Sequence, residues 1–194
     1  MIEAVCFDLD GTLIHYRDDY SAYVQRFAER LGLEGHLEAF RQVYPLELTR
    51  EGPQNFSDVI ARSLAVLGLA RPRGLEGFCQ EAVAAYAEGV ELLPGALGTL
   101  EYFSRWPLAL VTNGPADMQR AAVEKVGIAG YFKTIMVSAD PDVGVRKPNS
   151  EIFRITCERL GVEPSRVLMI GDNLLQDVRG AEAAGMQALW IPKN

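Results

Sequence analysis

The chain has no apolar run that approaches the length of a membrane span, which argues against a helical membrane-spanning role. It has no excess of positive charge. Nineteen Lys and Arg stand against 26 Asp and Glu, and the net charge of −7 speaks against nucleic acid as a partner. Cysteine is scarce, and Cys6, Cys79 and Cys157 are too widely spaced to suggest a metal site and, being three, cannot all pair. A reduced, cytoplasmic chain is the expectation, supported by an amino terminus that enters a strand pattern without a basic region or cleavage site. Internal repeats and low-complexity stretches are also missing.

What is present is ordinary globular material: 194 residues, 48% apolar and 23% charged, enough to bury a substantial core. Short apolar, partly β-branched runs at 2–7, 108–111, 135–137, 167–170 and 188–191 predict strands. Helical patterns at 116–126, 150–160 and 174–184 separate the later runs, each closed by a glycine (Gly127, Gly161, Gly185). This alternation predicts an α/β fold, a Rossmann-like doubly wound parallel sheet of about five strands. Near-continuous apolar strands fit a sheet covered on both faces.

One connection breaks the rhythm. Residues 14–106 separate the first two strands, far more than one crossover helix needs. Pro94-Gly95 and residues 96–105 read as the crossover itself. The rest is helix-rich, with helices expected over 20–31, 37–44, 56–67 and 75–90, separated by Gly32, Pro45, Gly52-Pro53, Gly68 and Pro72. The expected organisation is a core of residues 1–14 and 92–194 with an all-helical bundle, 15–91, inserted after the first strand.

Four clusters sit where strands run out: Asp8-Leu9-Asp10-Gly11-Thr12-Leu13, Thr112-Asn113-Gly114, Lys147-Pro148, and Gly171-Asp172 with Asp177. In doubly wound sheets such loops line the ligand crevice. Residues two apart in an extended segment point the same way, so Asp8 and Asp10 can reach one reacting centre. Thr112 and Asn113 suit a helix start, followed by Pro115 in the first turn, where a hydroxyl and backbone N–H groups can grip an anion. Lys147 precedes Pro148, which holds it extended before another helix. Together the clusters supply the parts for moving a phosphoryl group: a carboxylate nucleophile, a second carboxylate as proton donor, a hydroxyl and a lysine for phosphate oxygens, and more carboxylates for a divalent metal. The negative overall field repels an anionic substrate, so attraction must be local, through a cation and Lys147.

In this order and spacing the clusters resemble those of the haloacid dehalogenase superfamily, most closely its phosphatases with a helical cap. The resemblance implies a core strand order 5-4-1-2-3, which would set Asp8 and Asp172 across one magnesium ion, and gives 15–91 the role of a cap. It implies Asp8 as nucleophile, Asp10 as general acid and then base, and Lys147 as clamp for phosphate and nucleophile. Leu9, Thr112, Asn113 and Lys147 would surround the phosphate. Magnesium would be held by Asp8, the Asp10 backbone carbonyl and Asp172, with Asp177 behind them, acting through a water or by orienting Lys147. The implied activity is a magnesium-dependent phosphatase acting on a small phosphorylated metabolite through a phosphoaspartyl intermediate, as a monomer or homodimer. Asp10 speaks against hydrolytic dehalogenation, whose leaving halide needs no proton.

A phosphomutase or phosphotransferase of the same superfamily is the alternative enzyme, and it would need Arg17, Arg50 or Arg62 to retain a bisphosphorylated intermediate. A non-catalytic phosphometabolite-binding regulator is a third reading, against which no catalytic position is missing. His15 is placed to touch substrate or to start the linker. His36 is expected at the surface, Cys6 in the core, and Asp140 and Asp142 in shaping their loop. Tyr16, Tyr20 and Tyr23 are candidate cap contacts that the cap also needs for packing. Arg146 is expected to be structural or solvent-facing.

Overall fold

In the computed structural model, which describes residues 1–17 and 19–192, the chain forms one five-stranded parallel sheet flanked by helices. Strand β1 (Ala4–Phe7) leads into a short strand β2 (Ile14–Tyr16), then helices α1 (Tyr20–Arg30), α2 (Leu37–Leu48), α3 (Phe56–Val66) and α4 (Leu75–Glu88). Strand β3 (Val90–Leu92) and helix α5 (Ala96–Phe103) return the chain to β4 (Leu108–Thr112). Then follow α6 (Ala116–Lys125), β5 (Thr134–Val137), α7 (Ser150–Leu160), β6 (Val167–Gly171), a π-helical turn at Leu174–Arg179, α8 (Gly180–Ala183) and β7 (Gln187–Trp190).

The sheet runs β5-β4-β1-β6-β7. With β2 and β3 set aside and the core strands counted along the chain, that row read from its other edge is fifth, fourth, first, second, third. Strand β1 lies at the centre, in register with β4 (Phe7 opposite Leu110) and β6 (Phe7 opposite Ile170). Alternation along β1 sends Val5 and Phe7 to one face and Ala4 and Cys6 to the other. Cys6 meets Met169, Phe153 and Cys157 in the smaller apolar cluster. Val5 and Phe7 belong to the larger one, which runs on into Phe27, Phe40, Phe56 and Leu64 of the helical insertion. The insertion is therefore packed as a continuation of one sheet face.

Three local features depart from the sequence-based expectation. The chain enters and leaves the helical insertion through an antiparallel ribbon, β2 against β3, in which His15 faces Glu91 and Tyr16 faces Val90. Boundaries at 14/15 and 91/92 fall inside it, and pairing of Val90 ends the preceding helix at Glu88. Helix α2 runs through Pro45 to Leu48 rather than stopping at residue 44. It continues because Glu47, two residues on, is buried in ion pairs with Arg62 at 3.0 Å and Arg50 at 3.3 Å, which offset the bond the proline cannot make. The helix expected over 174–184 opens as a wider π turn and becomes α-helical only at Gly180.

Candidate active site

The site is assembled where β1, β4 and β6 end side by side. Asp8 follows β1, and its backbone N–H continues the ladder by donating to Ile170 O at 2.9 Å. The chain then turns sharply. Leu9 O accepts from the N–H groups of Leu13 at 2.9 Å and Ile14 at 3.0 Å, and Gly11 has φ of 86°, open to glycine without strain. That turn buries Leu9 completely and leaves Asp10 exposed at the rim.

Beneath the rim lies a closed charge network. Lys147 is 2% exposed, and its ammonium donates to Asp8 Oδ1 at 2.6 Å, Asp177 Oδ1 at 2.6 Å and Val111 O at 2.8 Å. An ammonium has three donors, so each has found an acceptor. Burial alone would lower the Lys147 pKa, but Asp8 and Asp177 outweigh it and raise it, keeping the charge. Burial raises Asp8 to about 7 against the pull of Lys147, and Asp177 acts in the same direction as burial. Thr12 Oγ1 donates to the other Asp8 oxygen at 3.0 Å.

Asp177 stands in the π turn, buried, and its second oxygen accepts from Asn173 N at 2.9 Å. It comes so close to Gly171 that a Cβ there would overlap its carboxyl group, so only glycine can end β6 at this point. Asp172 lies half-buried beside it, its carbonyl accepting from Trp190 Nε1 at 2.9 Å. One carboxylate oxygen each from Asp8, Asp172 and Asp177 falls within 4.8 Å of the others. Two of these carboxylates already share a single ammonium, and the all-oxygen donor set is the kind a hard divalent cation takes. The residues present fit such an ion.

Strand β4 contributes the other wall. The buried Thr112 hydroxyl is engaged with Gln119 Oε1 at 2.7 Å. Asn113 uses its side chain as a brace: Oδ1 accepts from Lys147 N at 2.9 Å, while Nδ2 donates to Lys147 O at 2.9 Å and to Gln176 Oε1 at 3.1 Å. Its amide thus fixes the Lys147–Pro148 loop, whose peptide bond is cis. Sequence reasoning had assigned Asn113 only its backbone N–H, and nothing local in Thr-Asn-Gly signals a contact 34 residues away.

Above the network opens a cavity of about 500 Å³, lined among others by Asp10, His15, Tyr16, Tyr20, Tyr86 and Arg146. Tyr16 stacks on Tyr86 with centroids 5.5 Å apart, and the Tyr20 and Tyr44 hydroxyls lie 2.8 Å apart. Tyr86 Oη sits 3.5 Å from Asp10 Oδ1. His15, Tyr16 and Tyr20 thus reach the cavity, whereas Tyr23 turns inward to Ala82 O. Arg17 pairs with Glu91, and Arg50 and Arg62 pair with Glu47; none of the three lines the cavity. Asp140 and Asp142 pair with Arg120 and Arg159. His36 is exposed and Cys6 buried. Tyr86 and Arg146 are cavity residues that the sequence reading did not place there. Tyr86 lies in a helix without any motif, and only the fold brings it to Asp10.

Comparison with known proteins places the chain as a whole. A profile of the haloacid dehalogenase-like hydrolases matches residues 2–185. The glyceraldehyde 3-phosphate phosphatase of Methanopyrus kandleri is 31% identical over 100% of this chain and 85% of its own length. The phosphoserine phosphatase of Thermus thermophilus is 41% identical, but over 45% of this chain and 34% of its own length. Among solved structures, the HAD phosphatase of Thermococcus onnurineus superposes with a TM-score of 0.75 at 28% identity, covering 100% of this chain and 87% of that one.

Proposed function

This chain belongs to the haloacid dehalogenase-like hydrolases, and from that membership we propose that it is a magnesium-dependent phosphatase of small phosphorylated metabolites, working through a phosphoaspartyl intermediate on Asp8. The observation that carries the reading is the buried Asp8–Lys147–Asp177 network beneath an exposed Asp10. A carboxylate fixed at both oxygens, by Lys147 and Thr12, is oriented for attack on phosphorus. Asp10, at the cavity rim beside Tyr86, is placed to protonate the leaving alcohol oxygen and then to take the proton of the hydrolytic water. Lys147 holds the nucleophile and offers positive charge to the phosphoryl oxygens, while Leu9, Thr112 and Asn113 form the loops around them.

Asp8, Asp172 and the Asp10 backbone carbonyl would hold the magnesium ion, with Asp177 orienting Lys147. When bound, the cation supplies charge neutralisation for the phosphoryl group and keeps Asp8 ionised. Residues 15–91 act as a cap that walls the cavity and excludes water during transfer. Arg17, Arg50 and Arg62, the arginines a mutase would use to retain a bisphosphorylated intermediate, stand in ion pairs away from the cavity. No helix among the described residues is long and apolar enough to cross a membrane.

The test is turnover of a panel of phosphate monoesters with magnesium, followed by rapid quench of the enzyme mixed with a ³²P-labelled ester. Label should appear on the protein in an acid-stable, hydroxylamine-sensitive bond. Asp8→Asn should stay folded, take up no label and lose about 10⁴-fold or more in kcat on every ester. Wild-type turnover by folded Asp8→Asn would exclude the mechanism.

A further inference from the structure

Among the described residues, Arg146 is the one permanently positive side chain that lines the cavity, and it stands next in sequence to Lys147, which is buried below. It is half-buried, and burial pulls its pKa down, with Glu51 the acidic group acting in the opposite direction. Its hydrogen bond within the protein runs from Nη1 to Leu48 O at 3.3 Å. Among the described residues no carboxylate lies within ion-pair distance of it, in contrast to Arg17, Arg50, Arg62, Arg120 and Arg159. A half-buried guanidinium with no carboxylate at pairing distance, only the longer-range pull of Glu51, keeps donors for an arriving anion.

The loop around it is held in place on both sides. Gly52 N donates to Gly144 O at 3.0 Å and Gln54 N to Ala139 O at 3.1 Å, stitching the α2–α3 loop of the insertion to the loop that carries Arg146. Leu48 and Thr49 of the insertion complete the cavity wall beside it. The fork of donors is therefore presented by a rigid seam. Tyr16, Tyr20 and Tyr86, which also line the cavity, carry no permanent charge, and Tyr86 lies beside Asp10, which marks the reacting end.

We propose that Arg146 is a specificity residue that binds a second anionic group, a carboxylate or a phosphate, at the end of the substrate remote from the reacting phosphoryl group. The substrate class is then a small phosphomonoester with a charged tail. This rests on the phosphatase reading and narrows it. A planar guanidinium meets either anion with two parallel hydrogen bonds, so the shared chemistry is a forked oxyanion.

Matched esters test it: phosphoglycolate against ethyl phosphate for a carboxylate tail, and 1,3-propanediol bisphosphate against propyl phosphate for a phosphate tail. The quantity read is the ratio of kcat/KM for charged over neutral tail within each pair, using the full chain with magnesium. The wild type should prefer the charged tail in at least one pair, and which pair identifies the anion. Arg146→Gln should collapse that ratio by ~10–100-fold, chiefly through KM, with Arg146→Lys between the two. A ratio unchanged by Arg146→Gln, whatever the loss in overall rate, would assign Arg146 to holding the Leu48 seam and overturn the proposal. If the wild type hydrolyses no ester, including an activated aryl phosphate, the phosphatase reading fails. Calorimetry with the same four esters then decides on its own: a charged-tail preference lost in Arg146→Gln supports the role, and equal binding of charged and neutral tails refutes it.

Discussion

The buried floor beneath the cavity, whose charged side chains do not themselves line it, and the cavity walls are built on opposite principles. On the floor, Lys147, Asp8, Asp177 and Thr112 are all buried, and each is bonded at fixed short distance to another polar group. The walls contributed by the ribbon and the insertion are aromatic, with Tyr16 flat on Tyr86 and Tyr20 stacked on Tyr23 at 5.6 Å. Charges at low dielectric tolerate no vacancy, because removing one partner strands the other. Stacked rings hold by area and shape and accept replacement. The floor is thus suited to one reaction and the walls to choosing among substrates.

Substitutions can break that division or sharpen it. Asp10 joins the two regions, and Asp10→Asn should cost about 10²–10⁴-fold on esters with poor leaving groups such as sugar phosphates. An aryl phosphate, whose phenolate leaves unaided, should suffer less in its first step and should load the enzyme with phosphate that the variant hydrolyses slowly. Single-turnover measurements on both esters read this directly. Equal losses without phosphoenzyme build-up would place Asp10 in the loop's architecture alone.

Asp172 belongs to the floor by position but is only half-buried. Asp172→Ala should weaken magnesium binding by at least ~100-fold, more than the change expected for a group that merely supports a ligand. Titrating turnover of one ester with magnesium measures it, and the loss should be the same for every ester. An ester-dependent loss would blur the floor and the walls. The smallest effect is expected from the wall itself: Tyr86→Phe keeps the ring stacked on Tyr16 and removes only a 3.5 Å contact to Asp10. Rates should stay within about threefold, since a neutral hydrogen bond contributes little net. A loss of 100-fold would mean that Tyr86 steers the proton on Asp10.

How far the sequence led depends on how local each signal is. The strand ends carrying Asp8, Thr112 and Asp172 were legible because apolar runs stop where acidic or hydroxyl residues begin, and the helix over Ser150–Leu160 was legible from its periodicity and its closing Gly161. At Pro45 local chemistry says stop, while the buried Glu47 ion pairs two residues later carry the helix on. The β2–β3 ribbon escaped notice because each strand has only three residues, too few for a period, and its pairing joins positions 14–16 with 90–92. The sequence leaves Arg146 as structural or solvent-facing, because nothing beside it in the chain reveals its hydrogen bond to Leu48 of the insertion or its place at the cavity. Tyr86 was missed for the same reason.

The ammonium of Lys147 has a further consequence for assembly. Its partners lie 139, 36 and 30 positions away along the chain, just after β1, on β4 and in the turn after β6. No fragment shorter than nearly the whole polypeptide can bring them together, and the loop-closure entropy must be met before the three bonds repay it. Catalytic competence therefore arrives as a late event in folding, after the central strands have found their register. A nascent chain with its last strands still unmade already holds Asp8 and Lys147 but lacks Asp172 and Asp177, so the carboxylate cluster suited to a cation is complete only once the turn after β6 has been made.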